Sequence, residues 1–225
     1  MKFEKADVWG FEHSIRGMRN PYDSWKKSDS GKGCSKGLCH ECENSYCDED
    51  VSCYVIGEND MNLAMSLIKG GSEHRKFLRQ IFVSVDITAP LYWWKEMDQY
   101  RINVTTNSCS TMHTLSKYPI TMDCFEMDDY SNTPVAQETW RVLISQLEKL
   151  RLGYVNTKDK VYWKELVRLL PESWLQKRTV TMNYENLLSI CKQRRGHRLT
   201  EWKSFIDWVR TLPYTKEFVF DFLSL

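Results

Sequence analysis

The sequence predicts an α+β protein, mainly helical with a few strands. Three observations carry that reading. Apolar residues recur at helical spacing in several separate stretches. One stretch, Ile81 to Thr88, instead alternates apolar and polar residues with the period of a strand. Proline and glycine stops fall between the periodic stretches, and no Gly/Ser/Pro-rich linker interrupts them, so residues 1–225 are expected to form a single domain.

The elements follow in order. Val8, Phe11, Ile15 and Met18 mark a first helix that ends at Arg19-Asn20-Pro21. Residues 22–56 lack periodicity and are rich in Ser, Gly, Lys, Cys and acidic residues, so they are read as an irregular insert. From Asn59, the residues Met61, Ala64, Leu67 and Ile68 share one helix face, and Gly70-Gly71 ends it. The strand at 81–88 leads to Pro90, which opens a helix to about Tyr100 with Leu91, Trp94 and Met97 inward. Residues 102–113 show neither period and are expected to be a polar loop. Thr133-Pro134 starts a helix to about Arg151, and another runs from about Thr157 to the stop at Pro171. Thr179–Met182 reads as a short strand. Leu187, Leu188 and Cys191 mark a helix ended by Gly196, and Leu199, Trp202, Phe205, Ile206 and Val209 mark the last, before Pro213.

Composition narrows the function. Apolar residues are 42% of the chain, enough for a core without disulfides. Thirty-one Lys and Arg against 30 Asp and Glu argue against general nucleic-acid binding, which draws on a basic excess. The first residues, MKFEKADVWGFEH, lack the apolar centre of a signal peptide, and no stretch is long and apolar enough for a membrane span. A soluble, cytoplasmic protein is therefore expected, with its eight cysteines as thiols or metal ligands.

Two ordered blocks resemble the flavin-dependent thymidylate synthase family. The first runs from His74-Arg75-Lys76-Phe77 through Asp86-Ile87-Thr88-Ala89-Pro90 to Gln99-Tyr100-Arg101. It matches the spacing of the family's His-x-(Ser/Thr)-Pro-Phe-Glu-His stretch, strand, short helix and closing Arg-His-Arg. In the second, Leu170-Pro171 is followed twelve residues later by Asn183 and eleven after that by Arg194, as in the family's Leu-Pro…Asn-Ala-Arg…Leu-Arg. Arg198-Leu199-Thr200-Glu201-Trp202 is a weaker third match. The resemblance covers residues 57–209.

The resemblance implies a central antiparallel sheet with packed helices, and an enzyme that uses FAD and a folate one-carbon donor on a pyrimidine deoxynucleotide such as dUMP. It implies a homotetramer whose active sites draw on several chains. It places His74, Tyr100, Arg101, Asn107 and Asn183 at the cofactor, Glu96, Gln99 and Arg194 at the substrate, and Arg194 and Ser110 in catalysis. Arginine suits both ligands, because its planar donors match phosphate and carbonyl oxygens and stay charged at working pH. On a pyrimidine oxygen it would stabilise charge that develops during the reaction.

The departures are specific. Arg-His-Arg has become Gln99-Tyr100-Arg101, and Asn-Ala-Arg has become Asn183-Tyr184-Glu185. An anion at 185 beside a flavin diphosphate is costly unless Glu185 turns away or is paired. Asn107 and Ser110 align to the family's Ser-rich continuation only with a one-residue insertion, and no arginine follows them. Cys109, between them, lacks an evident general base. The alternative to an enzyme is an inactive homologue kept as a nucleotide-binding or structural protein. The insert has its own chemistry: Cys34, Cys39, Cys42 and Cys47 offer four thiolates for one Zn²⁺, with an iron–sulfur cluster or unligated thiols as alternatives.

Overall fold

The computed structural model describes residues 1–33, 54–127 and 133–223. The sheet is built from β1 (Lys2–Trp9), β4 (Phe82–Pro90), β6 (Leu175–Asn183) and β5 (Thr105–Ser108), side by side in that order. It is antiparallel. A hydroxyl contact of 3.0 Å joins Ser84 to Thr181, and Thr179 donates to Asp86 at 2.6 Å, so the register of β4 and β6 advances in opposite directions. In β4 the alternation is complete: Val83, Val85, Ile87 and Ala89 are buried and the residues between them are not.

The described residues divide into two compact units, and β1, β4 and β6 each contribute to both. The first unit holds residues 1–5, 85–101 and 105–180. Its helices are α3 (Leu91–Met97), α4 (Thr111–Thr114), α5 (Pro134–Thr157) and α6 (Lys160–Leu169). The Thr133 hydroxyl caps α5 by accepting the Ala136 N–H, and the Asp159 carboxylate caps α6 by accepting that of Val161. Leu115, Ile120, Phe125, Leu147 and Leu166 form the core, with Trp140 and Trp174 packed against it. Gly153 of α5 lies so close to the Tyr162 ring of α6 that an added Cβ would stand 2.7 Å from it. That contact sets how near the two helices come.

The second unit holds residues 6–84, 102–104 and 181–225. It contains α1 (Phe11–Arg19), the two-residue strands β2 (Gly31–Lys32) and β3 (Tyr54–Val55), and α2 (Glu58–Lys69). After β6 come α7 (Tyr184–Arg194), α8 (Thr200–Val209), a π-helical turn Lys216–Phe220 and α9 (Asp221–Leu223). Tyr184, buried at the start of α7, donates from its hydroxyl to the Pro213 carbonyl at 2.6 Å. Phe11 meets both Tyr184 and Tyr214 edge to face. Gly10 sits at φ +96°, where a Cβ would lie 2.1 Å from the Gln80 carbonyl oxygen, so only glycine fits between β1 and α1.

Three expectations change. Val8 belongs to β1, so the first helix starts at Phe11, although it ends where the Asn-Pro stop requires. Residues 102–113 are not all loop, because they contain β5 and α4. A C-terminal π turn and α9 follow the helix taken as the last. Among the described residues, no helix is long and apolar enough to cross a membrane. Cys34, Cys39, Cys42 and Cys47 lie outside the described residues.

Candidate functional site

In the second unit, the Asn183 side chain starts α7. Its Oδ1 accepts the Asn186 N–H at 3.0 Å, and the Asn186 Oδ1 accepts the Asn183 N–H at 3.1 Å. This reciprocal cap satisfies two backbone donors that the helix leaves over. Asn186 also donates from Nδ2 to the Ile102 carbonyl at 2.9 Å, tying residues 102–104 to the cap.

Glu185 follows in the first turn of α7, where the helix dipole favours an anion. It is paired, and the partner is Arg75. Nε donates to both carboxylate oxygens at 2.8 and 3.2 Å, and Nη2 donates to Oε1 at 2.9 Å. The two side chains keep 14% and 18% of their surface open. The Arg75 guanidinium carbon lies 5.5 Å from the centre of the Phe222 ring in α9. His74, next in the chain, is exposed, and its ring packs against Gly70 at the end of α2, within 3.3 Å of where a Cβ would be.

At the other end of α7, the Arg194 guanidinium carbon lies 4.5 Å from the Trp202 ring centre in α8. Trp202 is fully buried and Arg194 half-buried, so the indole forms a fixed floor for the cation. Arg195, its neighbour, is exposed and donates from Nη1 to the Leu223 carbonyl at 3.3 Å. On the buried face of α7, burial pushes the Cys191 thiol up to about 12, so it stays protonated and inert.

In the first unit, the candidates cluster at the end of α3. Gln99 is exposed and donates from Nε2 to the Lys95 carbonyl at 3.2 Å. Arg101 is exposed and donates from Nε to the Asp98 carbonyl at 3.2 Å, so it folds back over the last turn. Glu96 and Tyr100 are half-buried in the same turn. That turn is held by Arg178 of β6, which reaches Asp98 at 2.7 Å and Gln176 Oε1 at 2.9 Å. Its guanidinium carbon lies 4.2 Å over the Trp94 ring, whose Nε1 donates to the Gln176 carbonyl at 3.0 Å. Arg178 is a residue that the motif spacing did not point to. Its signal in the sequence is its place on a strand that faces a tryptophan-rich helix.

Asn107 lies exposed in β5. Ser110 begins α4, and its carbonyl accepts both the Thr114 N–H at 3.0 Å and the Thr114 hydroxyl at 2.8 Å. Cys109 is exposed, and its thiol donates to the Thr114 hydroxyl at 3.7 Å. That contact is with a hydroxyl rather than a base. The first unit thus gathers Glu96, Gln99, Tyr100, Arg101, Asn107 and Ser110, and the second gathers His74, Asn183 and Arg194.

No protein-family model and no curated protein matches the chain. Solved structures do match. A crystal structure of thymidylate synthase X (ThyX) from Helicobacter pylori with FAD and dUMP is 16% identical, covers 100% of both chains and gives a TM-score of 0.68. A second, of flavin-dependent thymidylate synthase ThyX from the same organism complexed with FAD and dUMP, is 15% identical, covers 98% of each chain and gives 0.64. The chain therefore has the flavin-dependent thymidylate synthase fold from end to end.

Proposed function

We propose that this chain is a flavin-dependent thymidylate synthase-like enzyme that binds FAD and acts on a pyrimidine deoxynucleotide, dUMP or a close relative. The observation that carries the reading is the end-to-end likeness to two structures solved with FAD and dUMP. The local chemistry supports it at the position that the sequence put in question. Glu185 would repel a diphosphate if it stood alone, but the Arg75 fork neutralises it. The α7 start therefore accommodates an anionic cofactor. His74, Tyr100, Arg101, Asn107 and Asn183 are the residues that the family resemblance assigns to it.

When bound, FAD would supply hydride chemistry, and a folate donor would supply the carbon. The roles of this chain's residues follow from their chemistry. Arg194, held over the buried Trp202 ring, can offer its remaining donors to a pyrimidine carbonyl. A guanidinium held in this way stabilises negative charge on that oxygen without reorganising. Glu96 and Gln99 would orient the nucleotide, and Ser110 would act near its reacting carbon. We read the assembly as a homotetramer with shared active sites. We also assign one Zn²⁺ per chain to Cys34, Cys39, Cys42 and Cys47, which elemental analysis of protein purified without chelator would check.

The test begins with an absorbance spectrum of the purified protein after FAD is added. Titration calorimetry then compares dUMP, dCMP and dTMP on the native protein, Arg194→Ala and Arg195→Ala. Arg194→Ala is expected to weaken nucleotide binding by about 1.5–3 kcal/mol, the range of a charge-assisted hydrogen bond. Arg195→Ala is expected to leave it unchanged, because Arg195 is turned to the Leu223 carbonyl. Equal losses would mean general electrostatics. Absence of both flavin and nucleotide binding would favour a fold kept for a structural or binding role.

A further inference from the structure

We propose that Arg75 is a ligand-contacting donor at the start of α7, and that Glu185 is the residue that positions it. The inference rests on the flavin reading above. In the family's motif the cation at this point belongs to the chain position that Glu185 occupies here. In this protein the cation arrives from the other side, from the residue after His74.

The geometry separates the two ends of the Arg75 guanidinium. Glu185 takes Nε and Nη2, in contacts of 2.8–3.2 Å. Nη1 makes no hydrogen bond among the described residues, and it is not among their buried unsatisfied atoms. A guanidinium nitrogen that is neither bonded nor buried is the one solvent reaches, which agrees with the 14% of the side chain left open. Phe222 lies beside the guanidinium and limits its rotation. The outcome is a planar donor with one edge anchored and one edge presented, beside His74 and next to the Asn183 cap.

A structural strut does not need this arrangement. Ion pairs of this burial add little net stability over apolar side chains of similar size, so a bidentate fork is an inefficient way to fasten a turn to a helix. It is a good way to aim an arginine. Two anchored contacts fix the direction of the remaining N–H groups, which suit a phosphate oxygen or a ring carbonyl. Because the pair is neutral overall, its contribution is directional rather than a general attraction for anions.

The experiment measures FAD affinity by quenching of flavin fluorescence, with thermal melts to confirm that each variant is folded. Arg75→Ala is expected to weaken FAD binding about tenfold or more. Arg75→Lys is expected not to restore it, because an ammonium cannot be held by the fork and still present a planar edge. The decisive variant is Arg75→Ala with Glu185→Ala. It removes the stranded carboxylate as well, and is expected to stay at least about threefold weaker than the native protein. Glu185→Gln, which keeps one acceptor, should fall between native and Arg75→Ala. If the double variant binds FAD as the native protein does, Arg75 is only a counterion and the proposal is overturned. If the native protein binds no FAD, the flavin reading itself falls and takes this inference with it.

Discussion

Arg19 and Arg75 are both held by carboxylates in the same unit, yet their surroundings differ. Arg19 is 4% exposed and its partner Asp60 is fully buried. Both oxygens of the Asp60 carboxylate are occupied. Asp60 Oδ1 takes Arg19, while Oδ2 accepts from the Ser28 and Ser30 hydroxyls and from the Asp29 and Ser30 N–H groups. Arg19 also reaches Ser24 through its carbonyl and hydroxyl. The Arg75–Glu185 pair has one aromatic neighbour and an open edge. A charge taken out of water has to be paired and hydrogen-bonded, whereas a charge used for recognition keeps a donor within reach of solvent. The first pair is a knot in the fold. The second has capacity left for a ligand.

The largest effect that follows is on Asp60. Asp60→Ala strands Arg19 in the interior and is expected to cost about 3–5 kcal/mol in urea unfolding. A smaller loss would mean that water enters and the knot is looser than its burial implies. Next comes pH. Burial pulls Asp60 up, but hydrogen bonds from Ser30, Ser28 and Arg19 outweigh it and leave the carboxyl below its ordinary value. A depressed carboxylate contributes stability above its unfolded pKa and loses it as pH falls through the folded value. The loss should therefore lie below about pH 4. Asp60→Asn should flatten that part of the stability profile, and an unchanged acid limb would assign it to other carboxylates. The smallest effect is on the other pair. Removing both Arg75 and Glu185 is expected to change stability by about 1 kcal/mol or less in the same assay, as for a part-exposed ion pair.

The sheet shows why some of this fold was legible and some was not. The inner strand β4 is covered on one face, so its buried positions wrote an alternation into the sequence. β1 and β5 are the outer strands. β5 is exposed throughout, as Thr-Thr-Asn-Ser, and nothing in its composition separates it from a loop. β1 is charged, and Lys5 adopts φ +53°, which breaks the pleat in mid-strand. Edge strands are often short and charged to discourage pairing with other chains, and the same property hides them.

The site was legible in a similar, partial way. Spacing picked out Asn183 and Arg194 as candidates, and they lie at the two ends of α7. It could not show that the Asn183 side-chain oxygen serves the helix cap, because many residue types satisfy a spacing and only geometry shows which bond a side chain makes. The anion at 185 looked like a defect when read along the chain. Its partner stands 110 positions away, and only folding brings the two together.

The short ribbon of β2 and β3 has a consequence of its own. Gly31 faces Val55 and Lys32 faces Tyr54, and the Tyr214 hydroxyl clamps the second strand by donating to the Tyr54 carbonyl and accepting the Ile56 N–H. The residues on either side of the stretch between these strands are thus held side by side, like a buttonhole sewn around its rim. Whatever length of sequence passes between those points, α2 begins from the same place. A change of length between the two strands would thus leave the start of α2 where it is.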